Sequence, residues 1–168
     1  MTVRRAAFSL GSNMGDRLGH LQSGVDGLGD APEVRLVAVS SVYATDPVGG
    51  PAQPEYLNAV VTVDTEADPA ELLALLRRVE SAAGRTRELR WGPRTLDVDL
   101  LAVGSLTVDT EELTLPHPRA HERAFVLCPW AEVDAGFVLV GHGPVGDLRA
   151  RAGDVGVRVT GWRLAVPV

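Results

Sequence analysis

In the first hundred residues, two strand-like runs follow one another directly, and each is flanked on its outer side by an amphipathic helix pattern. Val34 to Tyr43 and Tyr56 to Thr65 are rich in β-branched residues and alternate in polarity. Upstream, Leu18, Leu21, Val25 and Leu28 recur at helical spacing over roughly residues 15–29. That helix follows a short strand at 4–10, which the turn-and-cap cluster Gly11-Ser12-Asn13 is expected to stop. Downstream, Pro69 opens a helix whose stripe of Leu72, Leu75, Leu76 and Val79 ends near Gly84, and Leu96 to Val103 reads as a strand. The order β-α-β-β-α-β predicts an α+β fold of the ferredoxin-like kind, an antiparallel sheet with helices packed on one face. From Thr107 onward the pattern is weaker: a strand, a short helical stretch at 118–123, a strand near 137–140, a turn of helix at 145–151 and a last strand at 157–164. There is no repeat, low-complexity tract or linker, so residues 1–168 are expected to form a single domain.

At 168 residues the chain can bury roughly two-thirds of the surface it exposes when unfolded, enough for a core without staples. One cysteine, Cys128, excludes an intrachain disulfide framework and fits a reducing compartment. With 16 basic and 22 acidic residues the formal charge is −6, which argues against phosphate-tracking along nucleic acid. All the basic residues other than histidine are arginine, and the absence of lysine removes a Walker A loop, a kinase phosphate lysine and a Schiff base. No apolar run approaches the roughly 20 residues needed to cross a membrane, and no signal core stands at the N-terminus. A cytoplasmic protein without nucleic-acid or membrane partners, acting as a monomer, is the expectation.

Three features carry chemistry. Asp97 and Asp99 stand two apart on a predicted strand, so a period of 2 puts both carboxylates on one face while Leu96, Val98 and Leu100 turn to the core. Like charges so placed need a compensating positive partner, either arginine or a divalent ion held by hard oxygen ligands. The arginines at 85, 87, 90 and 94 supply one within a few residues, and guanidinium forks match phosphate oxygens in pairs of hydrogen bonds. Arginines leading into a carboxylate pair are a phosphoryl-transfer constellation. His117 is held between Pro116 and Pro118, and Arg123 and Phe125 follow closely. The third feature is the Pro/Gly-rich segment from Asp46 to Pro54, too long for a tight hairpin and flanked by Tyr43, Thr45, Tyr56 and Asn58. Tyr56 and Asn58 at i, i+2 present a ring and an amide on one strand face, which suits a flat heterocycle with hydrogen-bonding edges. An RNA-binding module would want more aromatic residues than the 5% present, and a two-metal nuclease a richer carboxylate and histidine set.

Taken together, Gly11-Ser-Asn13, Tyr43-x-Thr45-x-Pro47-x-Gly49, Gln53-Pro-x-Tyr56-Leu-Asn58, Arg90-Trp-Gly-Pro-Arg94-Thr-Leu-Asp97-Val-Asp99, Leu115-Pro-His117-Pro and Arg123-x-Phe125-Val-Leu-x-Pro129 resemble the 6-hydroxymethyl-7,8-dihydropterin pyrophosphokinase family of folate synthesis. The blocks run in order from about residue 9 to residue 129, and the one from Arg90 to Asp99 is the most specific. Asp46 and Trp130 depart from the usual pattern. The resemblance implies an enzyme that moves the β,γ-pyrophosphate of ATP to the pterin hydroxymethyl group and leaves AMP. It implies that Asp97 and Asp99 hold two magnesium ions, and that these two together with Arg85 and Arg94 form the catalytic set. Arg85, Arg94 and Arg123 would then lie on the ATP phosphates with His117 beside them, and Glu80 and Trp91 would line the ATP side. Tyr56 and Phe125 would sandwich the pterin, with Thr45 and Asn58 at its edges.

Overall fold

Strand β1, Arg4–Ser12, lies between two partners and has to satisfy both faces of the sheet. Its alternation sends Ala6, Phe8 and Leu10 into one apolar cluster and Ala7 into a second on the opposite side. The computed structural model describes residues 2–46, 54–83 and 95–167. After β1 come α1 (Arg17–Asp30), β2 (Val34–Val39), β3 (Ser41–Thr45), β4 (Tyr56–Thr65), α2 (Pro69–Ala82) and β5 (Asp97–Val103). The Asp16 carboxylate caps α1 by accepting from the Gly19 amide at 3.0 Å. Asp68 caps α2 in a capping box with Glu71, and Pro69 fits the first turn, where no amide donor is needed.

The main sheet runs in the order β10 (Val157–Arg163), β3, β4, β1, β5, all antiparallel, with β2 also on β4. This is the ferredoxin-like arrangement expected from the order of elements. The Gly11-Ser12 pair, expected to end the first strand, instead extends it: Gly11 pairs with Asn58 on one side and Asp97 on the other. The run from Val34 to Tyr43 is two strands, broken at Ser40. The Ser40 hydroxyl accepts from the Val60 amide at 2.9 Å and donates to the Ser41 carbonyl at 2.8 Å. That detour lets β2 pair with Val61 to Thr65 while β3 continues along Tyr56 to Asn58.

Helices cover both faces of the sheet, where one was expected. Helices α1 and α2 pack on Phe8, Leu10, Ala59, Val61 and Val98. The other face is covered by α3 (Ala124–Asp134) and α4 (Val145–Ala152); the short ladder of β6 (Val108–Asp109) with β7 (Thr114–Leu115) precedes α3, and that of β8 (Val138–Leu139) with β9 (Gly143–Pro144) joins the two helices. Residues 118–123 form turns, not a helix, with Ala120 N–H donating to the His117 carbonyl at 3.2 Å; the helix begins immediately after them. A bulge in β5 lets the consecutive Leu101 and Ala102 both reach the second cluster, where Val60, Leu127 and Trp130 lie. Strand β10 (Val157–Arg163) lies along β3. The Asp46 amide donates to the Gly156 carbonyl at 2.9 Å, and Arg158 grips the Glu55 carboxylate with two bonds of 2.6 and 3.1 Å.

Trp130 is fully buried at the centre of the second cluster, tilted against Phe137 at 5.4 Å between ring centroids. Trp130→Ala should therefore cost about 3–5 kcal/mol of stability, the usual range for an aromatic core truncation. Urea unfolding should show the loss as a lower midpoint.

Candidate active site

At one end of the second face α3 stops, and the sheet beyond it is uncovered. The register there sets Asp99 opposite Ser9, Asp97 opposite Gly11, Gly11 opposite Asn58, Asn58 opposite Tyr43 and Tyr56 opposite Thr45. A cavity of about 380 Å³ opens over these residues, closed on the far side by Arg123 and Phe125 at the start of α3. Its floor is made of small side chains, Ser9 and Gly11. A methyl group on Gly11 would lie 3.1 Å from Asn58 Oδ1, tighter than ordinary packing, so glycine is what lets the amide approach the floor. Asn58 is buried, and its Nδ2 donates to Thr45 Oγ1 at 2.6 Å, which fixes the orientation of the amide.

Asp97 and Asp99 share the cavity wall on β5. Between them the Val98 amide donates to Glu80 Oε2 at 3.0 Å, so the buried Glu80 on α2 holds the segment that carries both aspartates. Asp99 also lines a second cavity of about 260 Å³ together with His117, Pro118, Leu73, Leu76 and Thr114. The His117 amide donates to the Leu101 carbonyl at 2.8 Å, and its Nδ1 accepts from the Arg119 amide at 3.2 Å. Burial lowers the pKa of His117; the Asp99 charge opposes the shift, while Arg123 and Arg119 add to it. The net direction is down, so the ring is neutral near pH 7. The Arg123 guanidinium carbon lies 5.5 Å from the centre of the Phe125 ring, a cation–π contact that places a positive charge beside an aromatic face at the cavity mouth.

Across the sheet, Glu132 on α3 accepts from Ser41 N–H at 2.8 Å, Ser41 Oγ at 3.1 Å and Tyr43 Oη at 2.7 Å. Burial, and then the bond to Glu132, push the Tyr43 phenol well above its ordinary pKa.

The structure thus brings Thr45, Tyr56, Asn58, Asp97, Asp99, Arg123 and Phe125 around one cavity and sets His117 in the next, with Asp99 common to both. Glu80 sits behind β5. Arg85, Trp91 and Arg94, with Arg87 and Arg90, lie outside the described residues, as do residues 47–53 of the Pro/Gly-rich segment. Sequence reasoning did not single out Ser9 as a floor residue or Glu132 as a link between α3 and β3. The signal for the floor was available: Ser9 and Gly11 are small residues two apart, alternating with the large Phe8 and Leu10.

The antiparallel ferredoxin-like sheet thus carries a cavity in which a tyrosine ring and a buried amide lie next to a carboxylate pair, and the proteins the chain is similar to are transferases acting on small molecules. The model of the 7,8-dihydro-6-hydroxymethylpterin-pyrophosphokinase family matches residues 7–135, and the chain belongs to that family, whose reaction is pyrophosphoryl transfer to hydroxymethyldihydropterin in folate biosynthesis. It is 48% identical over 128 residues to the 2-amino-4-hydroxy-6-hydroxymethyldihydropteridine pyrophosphokinase of Bacillus subtilis, covering 76% of this chain and 77% of that protein. The Mycobacterium leprae enzyme of the same name is 53% identical over 144 residues, covering 79% and 73%. Among solved structures, a Plasmodium falciparum HPPK-DHPS triple mutant with pteroate superposes with a TM-score of 0.72 at 12% identity, covering 94% of this chain and 47% of that one. The wild-type Plasmodium protein gives 0.66 at 12%, covering 89% and 43%. This chain spans less than half of those two-part proteins, and the likeness bears on the fold alone.

Asp99→Asn should lower the pKa of His117 further, because Asp99 is the neighbouring charge that raises it while both arginines lower it. NMR titration of the His117 ring in the ligand-free protein reads this directly. With its native pKa below the unfolded value of about 6.5, neutral His117 favours folding above that pH and loses the contribution as pH falls through the native pKa.

Proposed function

We propose that the chain transfers the β,γ-pyrophosphate of ATP to the hydroxymethyl group of 6-hydroxymethyl-7,8-dihydropterin and releases AMP. The observation that carries this reading is Asp99 standing between two cavities. One is lined by the ring-and-amide set Tyr56, Asn58, Thr45 and Phe125, the other by His117 and apolar side chains from α2. A pterin in the first and a nucleotide in the second would meet at the carboxylate pair. Pterin affinity then comes from stacking on Tyr56 and Phe125 and from edge hydrogen bonds to Asn58 and Thr45. Arg123 reaches phosphate from the cavity mouth, and His117, neutral at working pH, serves there as a hydrogen-bonding group and not as a cation. By the resemblance, Arg85 and Arg94 complete the phosphate contacts with Asp97 and Asp99 as the catalytic set, and Glu80 and Trp91 support the ATP side. Glu80 accepts from the Val98 amide, on the segment between Asp97 and Asp99.

The donor set fits magnesium. Asp97 and Asp99 offer hard carboxylate oxygens, and among the described residues no group of three or more His, Cys, Asp or Glu side chains forms a cage of its own. Such a site completes its coordination with phosphate oxygens and water, as magnesium does with nucleotides, and two ions sharing the pair match the family resemblance. Bound there, magnesium would neutralise the phosphate charge during transfer. The chain's own part is positioning: the hydroxyl oxygen is aimed at the β-phosphorus, the bridge to the α-phosphate breaks, and AMP leaves. Such a transfer needs little general-base strength. Among the described residues no helix is long and apolar enough to cross a membrane. A cytoplasmic, monomeric enzyme of small-molecule substrates completes the proposal.

Mass spectrometry of a mixture of protein, ATP, magnesium and the reduced pterin should show AMP and pterin diphosphate in equal amounts, and no AMP when pterin is omitted. Release of ADP would overturn the reading. Asp97→Ala and Asp99→Ala should each abolish turnover. The melting temperature of ligand-free Asp99→Ala should hold level or rise, since a like charge is removed, and its stabilisation by magnesium with an ATP analogue should vanish.

A further inference from the structure

We propose that Glu132 is a positioning residue that sets where the β3 edge of the pterin slot stands relative to Phe125, an inference that rests on the pterin reading of the first cavity. The slot's stacking faces are Phe125 and Tyr56, and its edge group Thr45 stands on a different element from Phe125. Phe125 stands on α3, whereas Thr45 stands on β3, bonded to Asn58 of the neighbouring strand. The apolar packing of α3, through Val126, Leu127 and Trp130, falls on Ala7 of β1, Val60 of β4 and Leu101 of β5. Strand β3 contributes no residue to that cluster; its apolar Val42 and Ala44 point into the other one. Toward α3 it presents Ser41, Tyr43 and Thr45, all polar.

What joins β3 to α3 on this face is the Glu132 carboxylate. Both of its oxygens are engaged, Oε2 by the Ser41 amide and hydroxyl and Oε1 by the Tyr43 phenol. Glu132 lies seven residues, two helical turns, beyond Phe125, so the two side chains share one face of α3. On the strand, Tyr43 lies two residues before Thr45 and shares its face. The clamp therefore fixes the same α3–β3 separation that the slot uses one step further along. A heterocycle stacked on Phe125 and hydrogen-bonded at its edge tolerates little error in the separation of the two, because a hydrogen bond is made at about 2.7–3.2 Å and weakens beyond that. A carboxylate suits the role because it only accepts, and all three groups facing it donate. An amide of the same shape would turn an NH2 toward donors at one end and break the clamp on that side.

The test is steady-state kinetics of Glu132→Gln, with pterin and ATP varied separately and pterin binding measured in the presence of an unreactive ATP analogue. The expected result is a rise of about tenfold or more in the pterin KM and in its dissociation constant, with the ATP KM within about twofold of wild type. Tyr43→Phe, which removes one donor and no charge, should move the pterin KM in the same direction by less. The double variant should be no worse than Glu132→Gln alone. A folded Glu132→Gln protein with wild-type pterin KM overturns the proposal. Equal losses for both substrates also overturn it, since that is what a merely structural residue would give. Should Glu132→Gln fail to fold, Tyr43→Phe with Ser41→Ala decides by the same split. Wild-type protein that forms no AMP with pterin would overturn the underlying reading, an outcome separate from an active wild type beside an unaffected variant.

Discussion

Everything in this molecule hangs on the two-sided burial of β1. Between β4 and β5 it has no free edge, and its residues must pack against α1 and α2 on one face while staying small on the other. Ala7 sits under α3, and Ser9 and Gly11 follow where the helix has ended. The same run of small residues that lets α3 lie close on the sheet at one end leaves a hollow at the other. Larger residues at 9 and 11 would preserve the strand and fill the site.

Charge is handled by separation. Asp97 and Asp99 point into the hollow, and the amide between them is bound from behind by Glu80, a buried third carboxylate with its own hydrogen-bond donor. Three acids thus stand close along a few residues of β5 without sharing one environment. Arg123 brings a positive charge to the cavity lining, while His117, its pKa lowered by burial, adds none.

The parts of this arrangement set by local pattern were legible in the sequence. Period-2 alternation placed Asp97 with Asp99 and Tyr56 with Asn58, and the strand and helix order led to the sheet topology. Helix α3 was not legible, for two physical reasons. Pro129 stands inside it, and Val126, Leu127, Cys128, Pro129 and Trp130 are buried in succession, so no amphipathic stripe marks it. Missing that helix also hid Glu132, whose partners Ser41 and Tyr43 lie some ninety residues upstream. Gly11 misled because glycine signals a turn more often than a strand position kept small for a neighbour's side chain. The break at Ser40 depends on a side chain bonding across to Val60, which no propensity records.

Strand β10 bears on where the working unit ends. The family match stops at residue 135, yet β3, which carries Thr45, is flanked on its outer side by residues 157–163. Asp46 and Glu55, either side of the segment that separates β3 from β4, are both bonded to this same C-terminal stretch, through Gly156 and Arg158. A fragment cut at the limit of sequence similarity would keep every matched motif and lose the outer neighbour of β3. Its row of amides and carbonyls would then be open to pairing with another chain. For this protein the border drawn by resemblance and the border drawn by hydrogen bonds are different borders, and only the second encloses a sheet with the outer side of β3 covered.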